Sequence, residues 1–591
     1  MRKIDREQLK RMSYQECADL AEEARREILS CVSENGGHLA SNLGLVEATI
    51  ALHRSFDCAQ DSVIFDVGHQ CYTHKLLTGR SLARLRRQDG VSGFTNPSES
   101  ACDVSFEGHS GTSVSRALGV ATANLLAGNE RYTVAVVGDG SLTNGMIYEA
   151  LNNCSERRNL RMLIVLNDNV MSISKNVGGM TRHLASIRTS KKYYKTKHAV
   201  SKALSKVPFL LRFGRRIKSF FKRMVLRYNF FESMGVDYIG PVDGHDIERL
   251  ETVFEEAKSR NRVVVVHMVT QKGRGYAPAE ERPERYHSVS PFSLNEGAKE
   301  GDESFSTVFG NLLTEEAKEN DKICAITAAM TDGTGLTPFA KAYPDRFFDV
   351  GIAEEHAVTF GSGLAKKGFL PVFAVYSTFS QRIYDQLWHD VALQSLPMVL
   401  AIDRSGFVSG DGYTHQGIYD VSLFSSIPNT KIYAPTTYEE LSECLKKALR
   451  GTAISVVRYH KGTECASLPV KEESLSHTEG VEEKKKVVVT YGRVTEEVLK
   501  SGSDVGIVKL TELFPLPVER IKELTAGAQR VYLIEEGVLE GGIAQKLSAL
   551  LDKPCTVRAV SGFMKQASLP DLYRAAKLDR ESLKYLLNEE L

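Results

Sequence analysis

Apolar and polar positions fall into blocks along the chain, and one block sets the theme. A short apolar run, TVAVVG, ends in the polar knot GDG; an amphipathic stretch of helical period follows; a second apolar run, RMLIVL, ends in the knot NDN. The change of period from strand to helix and back predicts a strand–helix–strand unit with parallel strands. In such a sheet the loops at the carboxyl ends of neighbouring strands open onto one crevice, where ligands bind. Asp139 and Asn169 therefore belong to the same crevice. A carboxylate and an amide oxygen are hard ligands suited to Mg²⁺, and glycine N–H groups at a helix start suit a phosphate. A tight turn and a loop would each explain one knot alone. Their pairing on consecutive strands favours the ligand reading.

The same alternation continues. NRVVVVHMVT predicts a strand that ends in a glycine-rich loop, and the polar stretch SLNEGAKEGDESFS reads as a linker. KICAIT, RFFDVGI, PVFAVY and PMVLAID predict the strands of a second block. The charged run KEESLSHTEGVEEKKK has no face to bury and reads as another boundary, after which VVVTYG, VGIVKL and RVYLIEE predict a third block. The expectation is three successive α/β domains, each with a largely parallel sheet: 1–295, 296–478 and 479–591.

Bulk composition adds limits. With 591 residues the chain is too long for one core, and 42% hydrophobic with 25% charged residues is ordinary for a globular protein. A net charge of +1 gives no global bias toward nucleic acid or membrane. Locally, residues 182–227 carry 15 Lys or Arg, and no Asp or Glu occurs from Asn169 to Phe231. That basic insertion, near 182–230, reads as a mobile segment close to anionic ligands, with a nucleic-acid arm or a membrane-surface helix as the alternatives. Ten cysteines without a CxxC pair indicate neither zinc nor a disulfide framework, and reduced thiols in a cytoplasmic protein are expected. The charged N-terminus lacks an apolar export segment, and no run of eighteen apolar residues occurs.

From GGHLASNLG through DVGHQCYTHKLLTGR, EGHSGTS, YIGPVDGHD, QKGRGYAPAE, VGIAEEHAVTFGSGLA, YSTFSQRIYDQ and DRSGFVSGDGYTHQG to EEGVLEGG, the chain resembles the 1-deoxy-D-xylulose-5-phosphate synthase family. These are transketolase-like thiamine diphosphate enzymes. GDG with NDN marks thiamine diphosphate enzymes generally, whereas DGYTHQG, DVGHQCYTHK and YIGPVDGHD together favour the synthase over transketolase. The resemblance implies a transketolase-like fold, a homodimer, and a cofactor site between the first two domains of one chain. It implies Mg²⁺ held by Asp139, Asn169 and the carbonyl of Met171 against the cofactor diphosphate.

The remaining roles are also what the resemblance implies. Thiamine diphosphate supplies the electron sink, and the protein must help remove a weakly acidic C–H proton. Glu354 matches the glutamate that bonds the aminopyrimidine ring. Glu355 stands where the family commonly has glutamine, and the ungapped match of GIAEEHAVTFGSG favours Glu354. His38, His69, His287 and His415 match active-site positions, with His69 near the cofactor and the other three lining the substrate pocket. Gly108, His109, Ser110, Gly140, Ser141, Lys272 and Tyr276 match cofactor contacts, and Phe379 matches a ring that stacks on the pyrimidine. Tyr376, Arg382, Arg404 and Asp411 match the acceptor site. Here the chain departs from its relatives: their RYPRG reads RYHKG, so Lys461 replaces an arginine and His460 a proline. Lysine keeps the charge and loses the planar fork.

The implied activity joins the small molecules pyruvate and D-glyceraldehyde 3-phosphate with loss of CO₂, with no nucleic acid or membrane partner. Its product, 1-deoxy-D-xylulose 5-phosphate, opens non-mevalonate isoprenoid synthesis and feeds thiamine and pyridoxal synthesis. The RYHKG departure keeps a transketolase or carboligase with another acceptor open, beside a cofactor-binding paralogue without catalysis.

Overall fold

Runs such as TVAVVG and MLIVLND are apolar at both alternations, so as strands they bury both faces and belong inside a parallel sheet. The structure, a computed structural model, describes residues 4–156, 159–169, 179–189, 230–298, 303–465 and 467–589. It divides into one unit of Met1–Leu85 with Gly93–Ala298 and a second of Arg86–Ser92 with Lys299–Leu591.

In the first unit the strands are β1 (Ser62–Phe65), β2 (Thr133–Gly138), β3 (Met162–Asp168), β4 (Asp237–Asp243) and β5 (Val264–Val269). They form one wholly parallel sheet in the order β1-β2-β3-β5-β4. Helices Ser113–Leu126 and Gly145–Ser155 bury Val114, Ala117, Ile147 and Leu151 against β2 and β3. β2 and β3 are register neighbours up to Gly138 and Asn167, so the GDG and NDN knots leave the same sheet edge side by side.

The second unit holds two sheets. One contains β6 (Ile323–Thr327), β7 (Phe347–Asp349), β8 (Leu370–Tyr376), β9 (Met398–Asp403), β10 (Lys431–Tyr433) and β11 (Ile454–Arg458), all parallel. The other contains β12 (Val470–Lys471), β13 (Leu475–His477), β14 (Lys486–Tyr491), β15 (Gly506–Leu510), β17 (Arg530–Val538) and β18 (Cys555–Val560). Its β14, β15, β17 and β18 are parallel, while β12 and β13 run antiparallel at one edge. Every strand expected from the hydrophobic pattern is present. The short β16 (Glu512–Phe514) comes from the last block of the chain but pairs antiparallel with β10, closing the edge of the other sheet. A short edge strand set by a distant partner has no local signature of its own.

One expectation is corrected. Cys58 and Cys102 form a disulfide across a separation of 44 residues, where reduced thiols were expected. No CxxC spacing announces it, because the two loops meet only in the tertiary fold. Of the basic insertion, residues 190–229 lie outside the described residues, as does Met171. Among the described residues no helix is long and apolar enough to cross a membrane.

Candidate functional site

In the first unit three of the singled-out histidines meet. The rings of His38 and His69 are 5.3 Å apart, those of His69 and His287 5.2 Å, and those of His38 and His287 5.7 Å. Backbone geometry brings them there. Gly36 and Gly37 have φ of 73° and 146°, values that favour glycine, and Gly37 exchanges backbone hydrogen bonds with Val289, which seats His38 beside His287. Asn42 ties in the third: its Nδ2 donates to the carbonyls of His38 at 2.6 Å and His69 at 2.7 Å, while its Oδ1 accepts from Tyr72 N. Burial, then the nearby Lys272, His69 and His38, push the His287 pKa well below its usual value, so its imidazole is neutral near pH 7.

Next to this cluster lies a phosphate-like cradle. Asp139, Ser141, Ser110 and Lys272 are all buried. The hydroxyl of Ser110 donates to Ser141 Oγ at 2.8 Å and to Asp66 at 3.2 Å. Asp66, at the end of β1, also accepts from Gly111 N and Ser113 N and so holds the start of helix Ser113–Leu126. Burial lowers the Lys272 pKa to about 8, against the attraction of Asp139 and then Glu284. A buried cation beside a carboxylate and two serine hydroxyls suits a diphosphate with a metal ion. Among the described residues no three His, Cys, Asp or Glu are grouped to hold a metal. A metal here would draw on oxygen donors such as Asn169 and on the ligand itself.

The NDN knot sorts its own members. Asn167 Oδ1 accepts from Thr270 Oγ1 at 2.7 Å, and Asp168 pairs with His267 Nε2 at 3.1 Å, which in turn meets Tyr238. Those two hold the sheet together. Asn169 stands just beyond the strand at the rim and is half-buried. Gly108 is buried and His109 half-buried on the adjoining loop, and Gly140 N bonds Asp139 Oδ1. Tyr276 packs its ring against Tyr286 and Phe292.

The loop carrying Lys272 is braced by residues that sequence reasoning missed. Gln271 N donates to His245 Nε2 at 2.9 Å, and His245 Nδ1 meets Glu47 Oε2 at 3.0 Å. Arg25 grips both oxygens of Glu47, at 2.5 and 2.6 Å, and donates to the Arg274 carbonyl. Burial works to raise the Glu47 pKa, but the hydrogen bonds from His245 and Arg25 win and hold it down at about 2. His245 lies in the quoted motif YIGPVDGHD, which was the available signal.

In the second unit Glu354 opens helix Glu354–Lys366 and is 2% exposed, whereas Glu355 is half-buried. Burial raises the Glu354 pKa to about 7, and Arg382, whose Nη1 lies 3.5 Å from Oε2, pulls it back. An aromatic wall stands in the same unit: Phe379 stacks on Tyr376 at 5.9 Å and meets His415 edge-on at 5.7 Å. The Arg404 guanidinium lies over the Tyr376 ring at 3.5 Å from its centroid. Gly417 lets the Arg404 backbone pass close by, since a Cβ there would come within 2.2 Å of the Arg404 carbonyl.

Around Arg404 gather Lys461, Asp411 and Arg86. Arg86 Nη2 pairs with Asp411 Oδ1 at 2.8 Å. Repulsion from Arg404, then burial, lowers the Lys461 pKa to about 8; Asp411 opposes this and Arg86 adds to it. The Lys461 side chain is exposed, so the charge repulsion outweighs burial. Arg86 was missed: it sits far from the other members in sequence, in a run of arginines without a motif. His460 and Arg458, its neighbours in RYHKG, are turned away from this work. His460 is buried against Phe305, bonded to the Thr463 carbonyl, and kept neutral by burial and then Arg493, with a pKa near 3. Arg458 is buried and pairs with Asp420 at 2.9 Å.

Residues 303–464, which hold the buried Glu354 and the aromatic wall, match the family described as transketolase, pyrimidine binding domain, and that match sets the class. Residues 1–270 match the family described as 1-deoxy-D-xylulose-5-phosphate synthase. Proteins of that name are similar along nearly the whole chain. The one from Caldanaerobacter subterraneus subsp. tengcongensis is 42% identical, covering 97% of this chain and 96% of that protein. Those from Clostridium acetobutylicum and Symbiobacterium thermophilum are each 44% identical, covering 91% and 96% of this chain and 90% and 89% of theirs. The chain belongs to the 1-deoxy-D-xylulose-5-phosphate synthase family. Among solved structures, transketolase from Campylobacter jejuni covers 98% of this chain and all of its own at 17% identity, with a TM-score of 0.43.

Proposed function

We propose that the protein condenses pyruvate with D-glyceraldehyde 3-phosphate, releasing CO₂ and forming 1-deoxy-D-xylulose 5-phosphate, with thiamine diphosphate and Mg²⁺ as cofactors. Bound thiamine diphosphate supplies the carbanion chemistry and the electron sink. The observation that carries the reading is Glu354: a buried carboxyl at a helix start whose pKa is raised to about 7 even though Arg382 Nη1 lies 3.5 Å from its Oε2. A carboxyl poised between its two protonation states is suited to share a proton with a ring nitrogen.

The chain's other residues take the remaining tasks. Asp139 and Asn169, with the carbonyl of Met171, would ligate the metal. Lys272, Ser110, Ser141 and Gly140 would meet the diphosphate, with Gly108, His109 and Tyr276 at the edge of that contact. His38, His69 and His287 would exchange protons or hydrogen bonds at the pyruvate-derived carbon, and the neutral His287 is able to accept as well as donate. Phe379 would stack on the aminopyrimidine. On the acceptor side Arg404 and Lys461 would hold the phosphate, while Tyr376, Arg382, Asp411 and His415 fix the aldehyde end. The domain bounds 1–295, 296–478 and 479–591 belong to this proposal, as do a homodimer and a cytoplasmic location. Exposed Tyr384, Trp388 and Leu393 supply apolar surface for a partner subunit.

Product identification tests the reading. Pyruvate is offered with phosphorylated and unphosphorylated aldehydes, and the expected product is 1-deoxy-D-xylulose 5-phosphate with strong preference for the phosphorylated acceptor. Equal use of both acceptor types would overturn the phosphate clamp and favour a carboligase with another acceptor, the reading that the RYHKG departure supports.

A further inference from the structure

The Cys58–Cys102 disulfide is not used by anything described above. Its Cα atoms lie 5.0 Å apart, within the span that a disulfide requires. Cys58 follows helix Val46–Ser55, ahead of β1, and Cys102 sits on the loop between residues 95 and 112. That loop has two feet in the candidate site. At one end the Phe94 ring packs on His38 at 5.5 Å; at the other the chain passes through His109 to Ser110, bonded to Ser141.

Between its feet the loop is braced internally. Asp103, next to Cys102, accepts from Asn96 N at 2.6 Å, His74 Nε2 at 2.8 Å and Arg80 Nη1 at 2.6 Å. Thr95 Oγ1 donates to the Ser105 carbonyl at 3.1 Å. The disulfide is the covalent tie between this braced loop and the segment ahead of β1. Both of its cysteines are half-buried, whereas Cys71 and Cys154 are buried, and burial pushes their thiols up to about 12. Exchange needs a thiolate and access to the sulfur, and the pair meets the second need where the buried thiols meet neither.

We propose that Cys58 and Cys102 form a thiol–disulfide exchange site, taking low-molecular-weight disulfides and thiols as reactants, whose oxidised state tightens the loop that carries Phe94 and Ser110. In the forward direction one protein thiolate attacks a sulfur of RSSR, breaking that bond and releasing RS⁻, which leaves a mixed disulfide. The second protein thiolate attacks the protein sulfur of the mixed disulfide and expels another RS⁻. Two protein thiols lose two electrons and two protons, and RSSR is reduced to two RSH. The reduced protein keeps the Asp103 hydrogen bonds and therefore its fold, but the loop opens locally more often. The consequence for cofactor release rests on the proposed function; the loop effect itself does not.

The test uses the full chain, either oxidised with glutathione disulfide or reduced with dithiothreitol, then alkylated, digested and read by mass spectrometry. A linked Cys58–Cys102 peptide is expected after glutathione disulfide and none after dithiothreitol. Hydrogen exchange across residues 95–112 should slow about threefold or more on oxidation. Cys58→Ser and Cys102→Ser should exchange like the reduced chain under both conditions, and Cys465→Ser should still respond to oxidation. Absence of the linked peptide at every glutathione ratio, or equal exchange in both states, would overturn the proposal. A linked peptide with altered exchange in a protein that makes no 1-deoxy-D-xylulose 5-phosphate would overturn the proposed function and leave this inference standing.

Discussion

The histidine cluster of the first unit and the Arg404 cluster of the second are built on opposite principles. In the first, imidazole rings are placed by backbone bridges and by one amide, Asn42, which reaches two histidine carbonyls, and His287 among them is held neutral. In the second, charges are crowded: Arg404, Lys461 and Arg86 lie close enough for Lys461 to lose basicity, and Asp411 relieves part of the repulsion. A cluster of imidazoles, which donate and accept, can hold a group whose charge changes during a reaction. Crowded cations are stable only when an anion joins them, so they select for one.

Charge at Glu354 offers the largest effect with which to break this contrast. Glu354→Gln keeps the shape but is a far weaker partner for a ring nitrogen, and C2 proton exchange of bound thiamine diphosphate, followed by NMR, should slow by about 10²- to 10⁴-fold. Glu355→Gln should be nearly silent, and the reverse ranking would move the role by one residue. The same substitution should stabilise the cofactor-free protein. Because the folded-state pKa is raised to about 7 from 4.5, the unfolded chain ionises first. Stability is therefore lost as pH rises from about 4.5 to 7, by roughly 3 kcal/mol. At pH 8 Glu354→Gln should raise the urea midpoint, and at pH 4 it should not.

Asp139→Ala comes next. Thiamine diphosphate affinity in the presence of Mg²⁺, measured by calorimetry, should fall about a hundredfold. Unchanged affinity in the variant would remove the metal assignment.

Lys461 sharpens the comparison because its charge is conditional. Lys461→Ala should raise the KM for glyceraldehyde 3-phosphate about ten- to a hundredfold while leaving pyruvate decarboxylation nearly unchanged. In the unmodified protein the ammonium is lost as pH rises through about 8, so that KM should climb above pH 8. Lys461→Arg should flatten the profile to pH 9, since arginine does not deprotonate there. Arg458→Ala is a different kind of test: Arg458 is buried with Asp420, so its loss should lower stability more than it changes acceptor affinity.

The smallest expected effect is at His245. His245→Ala removes the acceptor for Gln271 N and one of the partners of Glu47, and should weaken cofactor binding by about 1 to 2 kcal/mol without changing acceptor KM. An acceptor effect larger than the cofactor effect would mean that His245 does not brace the Lys272 loop.

These clusters differ also in how far the linear chain announced them. The strand runs were legible throughout because burial on both faces leaves an unmistakable apolar run, as in β2 and β3. His38 and His69 were legible through their motifs, and their meeting with His287 depends on a local glycine pair. Asn42 and His245 stood inside quoted motifs, but nothing in the letters separates a brace from a spacer. Arg86 and the Cys58–Cys102 bond were illegible, since both depend on which loops the fold brings together. The NDN knot shows the limit from the other side: three polar residues look alike in sequence, and only the partners of Asn167 and Asp168 reveal that they are already engaged.

The short segment Arg86–Ser92 belongs with the second unit although the chain on both sides of it belongs to the first. A gene fragment ending near residue 298 would thus carry a strip of a body it lacks, and the complementary fragment would lack the arginine that pairs with Asp411. Separate expression of either half should therefore yield a body with a piece missing or a piece to spare.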